Sequence, residues 1–435
     1  MVQDDGPVGL DGVEVVFDDE RVVSDAGVMV VATLAQRLGV EALAQQLVRL
    51  RRDRPGAANA GRKVMALLYA MVLGADSIDD AGVLRAGRSG RLLGGWIPAP
   101  STLGTFLRAF TFGHVRQLDA LLGRALERAW QAGAGPGAGR LVIDVDSFVG
   151  EVCGDLKQGA AYGYTKLFGY HPILATRADT REALHIRLRK GSANTQRGML
   201  RFCEELIARV NRAGATGVKL LRADSGFWNT NVFERLEQAG WQYSIGVRMI
   251  KTVRAAVEAI PGDAWTPVAD YPDDGEAQIA ETVYGDRRLI VRRTRLLGAQ
   301  AELWPDWRHF CLITNRDQDI ALVEAEHREH AVVEQVIADL KDQALAHFPS
   351  GHYGANGAWT VLAALAHNLL RWTQLLGLPD TTIRAAATLR RRLLQVPGRL
   401  TRHARGWTLH LPARWPWHGD YINALNRIRA LALAT

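Results

Sequence analysis

Between Glu326 and Gln343 the chain reads EHREHAVVEQVIADLKDQ. Taken as one helix, it places His327, His330 and Glu334 at i, i+3 and i+7, with Lys341 one heptad further on. That spacing stacks all four side chains on one face. Two imidazoles and a carboxylate on a helix face can bind zinc. Zinc hydrolases of the helical kind, however, carry His at i and i+4 with an intervening Glu, or the inverted His-x-x-Glu-His. HREH fits neither, so a zinc hydrolase built on His327, His330 and Glu334 is the remote alternative.

Further carboxylates lie where an apolar strand meets a turn. Asp144 and Asp146 sit two apart in RLVIDVDSFV (140–149), a spacing that turns both to one face of a strand. Asp224 ends LLRAD and is followed by the turn residues SGF. An acid in an apolar strand is costly unless a cation or hydrogen-bond donors satisfy it. Two neighbouring strands that each bring an acid to one sheet edge, joined by a Glu from a helix, make an all-oxygen site. Such a site suits Mg²⁺ or Mn²⁺ rather than zinc. It can hold two ions that activate water or a 3′-hydroxyl. Taken singly, Asp224 also reads as a helix cap, and Asp144 or Asp146 as half of a buried salt bridge.

The elements needed to position these groups are legible in the hydrophobic period. Residues 28–50, 61–75, 76–87, 99–112 and 114–132 read as helices. The three from 61 to 112 resemble a helix-turn-helix unit, with Ser101 and Thr102 at the start of the last. GAGPGAG (133–139) reads as a flexible joint between domains. Period-two strands follow at 140–149, 169–179 and 182–191, then a helix at 196–213. A strand at 217–227, a helix at 229–240 and a strand at 242–248 complete a β-β-β-α-β-α-β order. Residues 249–308 read as a β-rich insertion bearing Trp265, Trp304 and Trp307. A strand at 309–315 leads into the opening helix, and 355–376 forms an apolar core helix.

The 435 residues carry a net charge of +7 and are 48% hydrophobic and 23% charged. That is the composition of a folded chain of two or three domains. No run of eighteen apolar residues occurs and the N-terminus is acidic, so a soluble intracellular protein without membrane contact is expected. Three scattered cysteines exclude a disulfide framework and a thiolate zinc site, and read as small buried hydrophobes. Acidic residues concentrate before residue 26. Arginines cluster at 49–63, with Arg51, Arg52, Arg54, Arg62 and Lys63 in one basic loop, and again at 384–414, a pattern that also serves simply to solubilise the chain. Separated basic patches of this kind can neutralise phosphates.

The segments KVMALLYAMVLGADSIDDAGVLRAG, APSTLGTFLRAFTFGHVRQLD, IDVDSFVGEVCGDLKQGAAYGYTKLFGYHPILATRADT, LLRADSGFW and PSGHYGANGAWTVLAALAHNLLRW resemble bacterial insertion-sequence transposases of the DDE type. Within these the chain is most similar to the insertion sequence thirteen-eighty family. The resemblance implies a ribonuclease-H-like α/β core with a mixed sheet, flanking helices, a β-rich insertion and an all-α N-terminal DNA-binding region. It implies the division 1–132 (DNA-binding helices), 140–248 and 309–376 (catalytic core), 249–308 (insertion) and 377–435 (basic C-terminal region). Asp146, Asp224 and Glu334 become the metal-binding triad. Asp146 is preferred because Ser147 follows it, with Asp144 the alternative. The related signature Tyr-x2-Arg-x3-Glu-x6-Lys places His327 and His330 at the Tyr and Arg positions and Lys341 at the Lys. These three, with Arg328, become candidate phosphate contacts, Trp304 and Trp307 candidate platforms for a flipped base, and Arg51, Arg52, Arg54, Arg62, Lys63, Ser101 and Thr102 candidate end-binding residues. Two Mg²⁺ ions (or Mn²⁺), transposon inverted repeats and target DNA, a homodimeric synaptic complex, and a bacterial cytoplasmic location are implied in turn. A catalytically impaired or domesticated DNA-binding descendant is the second reading.

Overall fold

The computed structural model describes residues 10–51, 53, 55–163, 165–269, 271–272, 275–297, 306–404 and 406–434. Its main sheet is built from β1 (Leu141–Ser147), β2 (Ile173–Arg177), β3 (Ala183–Arg187), β4 (Lys219–Ala223), β5 (Gln242–Val247), β6 (Thr266–Pro267), β7 (Gly275–Tyr284), β8 (Arg287–Leu296) and β9 (Arg308–Thr314). Their spatial order is β6-β7-β8-β9-β5-β4-β1-β2-β3. β1 pairs in parallel with β4 and antiparallel with β2, and β4 pairs in parallel with β5. The segment β3-β2-β1-β4-β5 is the ribonuclease-H-like mixed sheet. Strand β1 lies at its centre, buried on both faces, which is why LVIDV is apolar almost throughout.

The helices are α1 (Val28–Arg37), α2 (Val40–Leu47), α3 (Ala60–Val72), α4 (Pro100–Arg108), α5 (Phe112–Ala129), α6 (Met199–Arg212), α7 (Thr230–Gln238), α8 (Lys251–Glu258), α9 (Ile320–Arg328), α10 (Val332–Lys341), α11 (Tyr353–Gly377) and α12 (His418–Ala430). Helices α6 and α7 connect β3 to β4 and β4 to β5. Helix α11 is buried on every side over most of its length and packs against α3, α4, α5, α12 and β3. An apolar helix of this kind belongs in the middle of a core. It joins the N-terminal helices to the sheet, and a single hydrophobic core runs through both.

Several expectations need correction. The segment 133–139 is not a free joint: Trp130 and Ala134 are buried, and the Ala134 carbonyl accepts from Arg177 Nη1 at 2.8 Å. Residues 76–87 form a 3₁₀ segment, Asp79–Arg85, rather than an α-helix. Residues 249–308 hold helix α8 and the β7–β8 hairpin, whose two-residue turn places Gly285 at φ +64°. The hairpin extends the main sheet, because β8 pairs with β9 and β9 with β5. Cys153 is exposed; Cys203 and Cys311 are buried. Among the described residues no helix is long and apolar enough to cross a membrane.

Candidate active site

Strand β1 delivers both of its acids to the face covered by the α9–α10 region, but their surroundings differ. Asp144 is fully buried and lies level with Arg222 on β4. The guanidinium grips it with both prongs, Nε to Oδ1 at 2.6 Å and Nη2 to Oδ2 at 2.9 Å. Arg222 also donates from Nη1 to the Glu326 carbonyl. Asp144 is thereby committed to a buried bidentate pair.

Asp146, nearer the end of β1, has no cationic partner of this sort. Its Oδ1 accepts the Ser147 N–H at 2.6 Å. Burial above all, helped by the charges of Asp224 and Glu334 and opposed by the Ser147 N–H and His330, pushes its carboxyl up to about 6. These three carboxylates therefore share one electrostatic neighbourhood. Asp224 caps the turn after β4, accepting the Gly226 N–H at 2.9 Å. Gly246 on β5 lets that turn come close, since a Cβ there would meet the Ser225 nitrogen at 2.7 Å. Glu334 stands exposed on the first turn of α10, while Val333, Val336, Ile337 and Leu340 bury the helix's other side. Asp224, Glu334, His327, His330, Arg328 and Phe310 line a cleft of about 620 Å³.

The opening stretch is not one continuous helix. Helix α9 ends at Arg328, residues Glu329–Ala331 form a 3₁₀ turn, and α10 starts at Val332. Two tertiary contacts accompany the break. Arg222 occupies the Glu326 carbonyl, which an unbroken helix would offer to the residue-330 N–H. The His330 ring donates Nε2–H to the Val145 carbonyl at 3.1 Å, tying the turn to β1. His327 Nδ1 meets Ser244 Oγ at 2.9 Å, and burial together with His330 and Arg222 pushes the ring down to about 3. Burial thus disfavours the imidazolium of His327 in the DNA-free chain, although the ring lines the cleft. With His330 Nε2 directed at a backbone carbonyl, the two imidazoles form no zinc site with Glu334.

Other expected contacts fall as follows. Lys341 is exposed, with Nζ 5.4 Å from the Phe148 ring centroid. Arg328 donates to Glu324 at 3.1 Å. Trp307 lies against Arg293 and Arg295, at 4.4 and 4.7 Å from its ring centroid, and Arg293 also lies 3.9 Å from that of Trp265. Trp304, Arg52 and Arg54 lie outside the described residues. Lys63 is buried, its ammonium donating to the Gly56 and Ala58 carbonyls at 2.7 Å each, so it is a loop clamp rather than a DNA contact. Arg62 donates to the Trp96 carbonyl at 2.7 Å. Arg51 is exposed and paired with Asp53. Ser101 and Thr102 stand on the first turn of α4, with Ser101 exposed. Sequence reasoning passed over Arg222 and Phe310. An arginine inside LLRAD, one strand away from an acid, was the available signal for the first.

The donor set can be tested for a metal. Asp146, Asp224 and Glu334 make no ion pair with Lys, Arg or His among the described residues, and they offer only hard oxygens, which fits Mg²⁺ or Mn²⁺. A second cluster, Asp119, His185 and Glu205, has ligand atoms within 4.8 Å of one another. There Arg116, Arg187 and Arg209 already bond the carboxylates. A cation would have to displace three guanidiniums, so this cluster ties α5 to β3 and α6 and does not fit a metal.

The burial of Asp146, with Asp224 and Glu334 nearby, has a measurable consequence. Its ionised form is disfavoured in the folded chain, so its contribution to stability is complete below the ordinary carboxylate value and is lost as pH rises through about 6. With chelator present, Asp146→Asn should melt above the parent at pH 8, and the gap should close as pH falls to 4. A gap that does not change with pH would mean that neither burial nor the neighbouring carboxylates raise the Asp146 carboxyl.

The mixed sheet and the three carboxylates near the ends of β1 and β4 and on α10 are the features to set beside known proteins. The chain belongs to the family described as transposase DDE domain group 1, whose model matches residues 6–433. It is a DDE-family transposase. Among solved structures, a piggyBac transposase synaptic complex with hairpin DNA is similar over 86% of this chain and 80% of that one, with 12% identity and a TM-score of 0.47. No curated protein matches the chain.

Proposed function

We propose that the protein binds the terminal inverted repeats of an insertion sequence and catalyses metal-dependent strand cleavage and strand transfer. The observation that carries this reading is the convergence of Asp146, Asp224 and Glu334, from two parallel strands and a helix, with no cation to balance them. Bound between them, two Mg²⁺ ions would supply a polarised water or 3′-hydroxyl and charge stabilisation for the departing oxygen. The chain's own work is positional. Asp146 and Asp224 are held by backbone N–H donors, and Glu334 by the α10 turn that His330 anchors to β1. Lys341, one heptad beyond Glu334, offers a phosphate an exposed ammonium. The 3′-hydroxyl freed by the first cut attacks the opposite strand and displaces the flanking DNA, leaving hairpin ends on the excised element; water then opens each hairpin, and the regenerated 3′-hydroxyl attacks a target phosphodiester, whose own 3′-oxygen leaves. Two protomers, one at each end, form the synaptic complex in a bacterial cytoplasm.

The test is cleavage of duplexes carrying the element's own ends. Mg²⁺ or Mn²⁺ should support cutting, and Zn²⁺ alone should not. A protein that binds the ends but leaves them intact with every metal would be an impaired DNA-binding descendant instead.

A further inference from the structure

A small sheet far from the carboxylates in sequence brings together side chains that the active site does not use. Its strands are Val22–Val23, Gly398–His403 and Gly406–His410. Val23, Ala26 and Leu400 form its core, with Leu92, Leu409 and Leu411 packed against them. Leu400 pairs across the hairpin with Leu409, and Arg402 with Trp407. Residues two apart on a strand share a face. The apolar face therefore runs from Leu400 and Leu409 straight on to Trp407, which is 47% exposed.

Three guanidiniums surround that indole. Arg88, Arg91 and Arg402 lie 5.6, 5.9 and 5.8 Å from its ring centroid. Arg88 is fixed there by a 2.7 Å hydrogen bond from Nη1 to the Leu400 carbonyl. None of the three has a carboxylate within ion-pair distance among the described residues. Arg399, on the other face of the same strand, shows the contrast, lying 3.5 Å from Asp19. Three like charges held around one ring repel each other. They gain most from a partner that presents several anionic oxygens along a surface. Duplex DNA does so, and an exposed indole adds apolar contact with a sugar edge.

We infer that the Arg88–Arg91–Arg402 face, with Trp407 at its centre, is a DNA-backbone contact surface that holds the duplex without reading its sequence. This rests on the transposase reading above. The contact is to phosphates, so it should act alike on the element's ends and on unrelated duplex.

The test uses the full chain and two labelled duplexes, one with an element end and one unrelated, with binding measured over a range of KCl concentrations. Each phosphate contact contributes about 0.9 to the slope of log K against log salt, so Arg91→Gln with Arg402→Gln should flatten that slope by about 1.8 on both duplexes. Trp407→Ala should weaken binding with the slope unchanged, and Trp407→Phe should restore it. Melting temperatures should stay at the parent value, since these groups lie at the surface. An unchanged slope in the double variant, with the parent still binding, overturns the surface alone. An unchanged slope with loss of a dimer in sedimentation would make the patch a protein interface and also overturns it. Failure of the parent to bind either duplex would instead overturn the transposase reading.

Discussion

Glu334→Gln should leave duplex-end binding intact and lower strand cleavage by about 10³-fold or more, since a metal-held group contributes several kcal/mol to the transition state and each 1.4 kcal/mol is a decade in rate. The amide keeps the shape of the side chain but loses the charge. Glu334 is exposed and anchors no other element, so the fold has nothing to lose with it. Removing one of three mutually repelling carboxylates should, if anything, stabilise the metal-free protein, because Glu334 is among the charges that push Asp146 up. The informative outcome is thus a split: unaltered binding and melting beside lost cleavage. Cleavage at the parent rate would sink the assignment. Loss of binding together with cleavage would show a structural role for Glu334, which the exposed first turn of α10 argues against.

The same residue shows how much was legible in the sequence. The apolar strands around Asp144, Asp146 and Asp224 stand out by period, and so does the helix that follows Thr314. What decides between Asp144 and Asp146 does not. Both point to one face, and the separation comes from Arg222, which is 78 residues away and becomes a neighbour only when β4 pairs with β1. Ser147 after Asp146 is a sequence signal for that acid; the pairing of Asp144 with Arg222 is a separate fact that appears only in the fold. The break at Glu329–Ala331 was equally hidden. Local propensity favours an unbroken helix through EHREHAVVEQ, and the competing hydrogen bonds to the Glu326 and Val145 carbonyls are tertiary. Lys63 illustrates the opposite failing. Charge clustering located a basic loop, but an ammonium on a long stem can fold back onto carbonyls, and here it does. Residues 249–308 read as β-rich, yet only the pairing of β8 with β9 and of β9 with β5 shows that their hairpin enlarges the main sheet.

Asp144→Ala should destabilise the protein by about 3–5 kcal/mol, the usual cost of leaving a buried charge without its partner. Arg222 is almost wholly enclosed, and water cannot replace the two bonds it would lose. The loss would be read by urea unfolding at neutral pH. Asp146→Ala, only two residues along the same strand, should cost far less or even stabilise, because that carboxylate is unbalanced in the metal-free state. Replacing the pair together, Asp144→Leu with Arg222→Met, should cost less than the sum of the single changes, since neither charge is then stranded. Full recovery is not expected. Arg222 also holds the Glu326 carbonyl, and with it the turn that sets α10 and Glu334 against β1. The double variant should therefore regain stability while cleavage stays depressed, and that separation identifies the Asp144–Arg222 pair as the device that positions the third carboxylate. Equal losses from Asp144→Ala and Asp146→Ala would dissolve the distinction between a structural and a catalytic acid on β1.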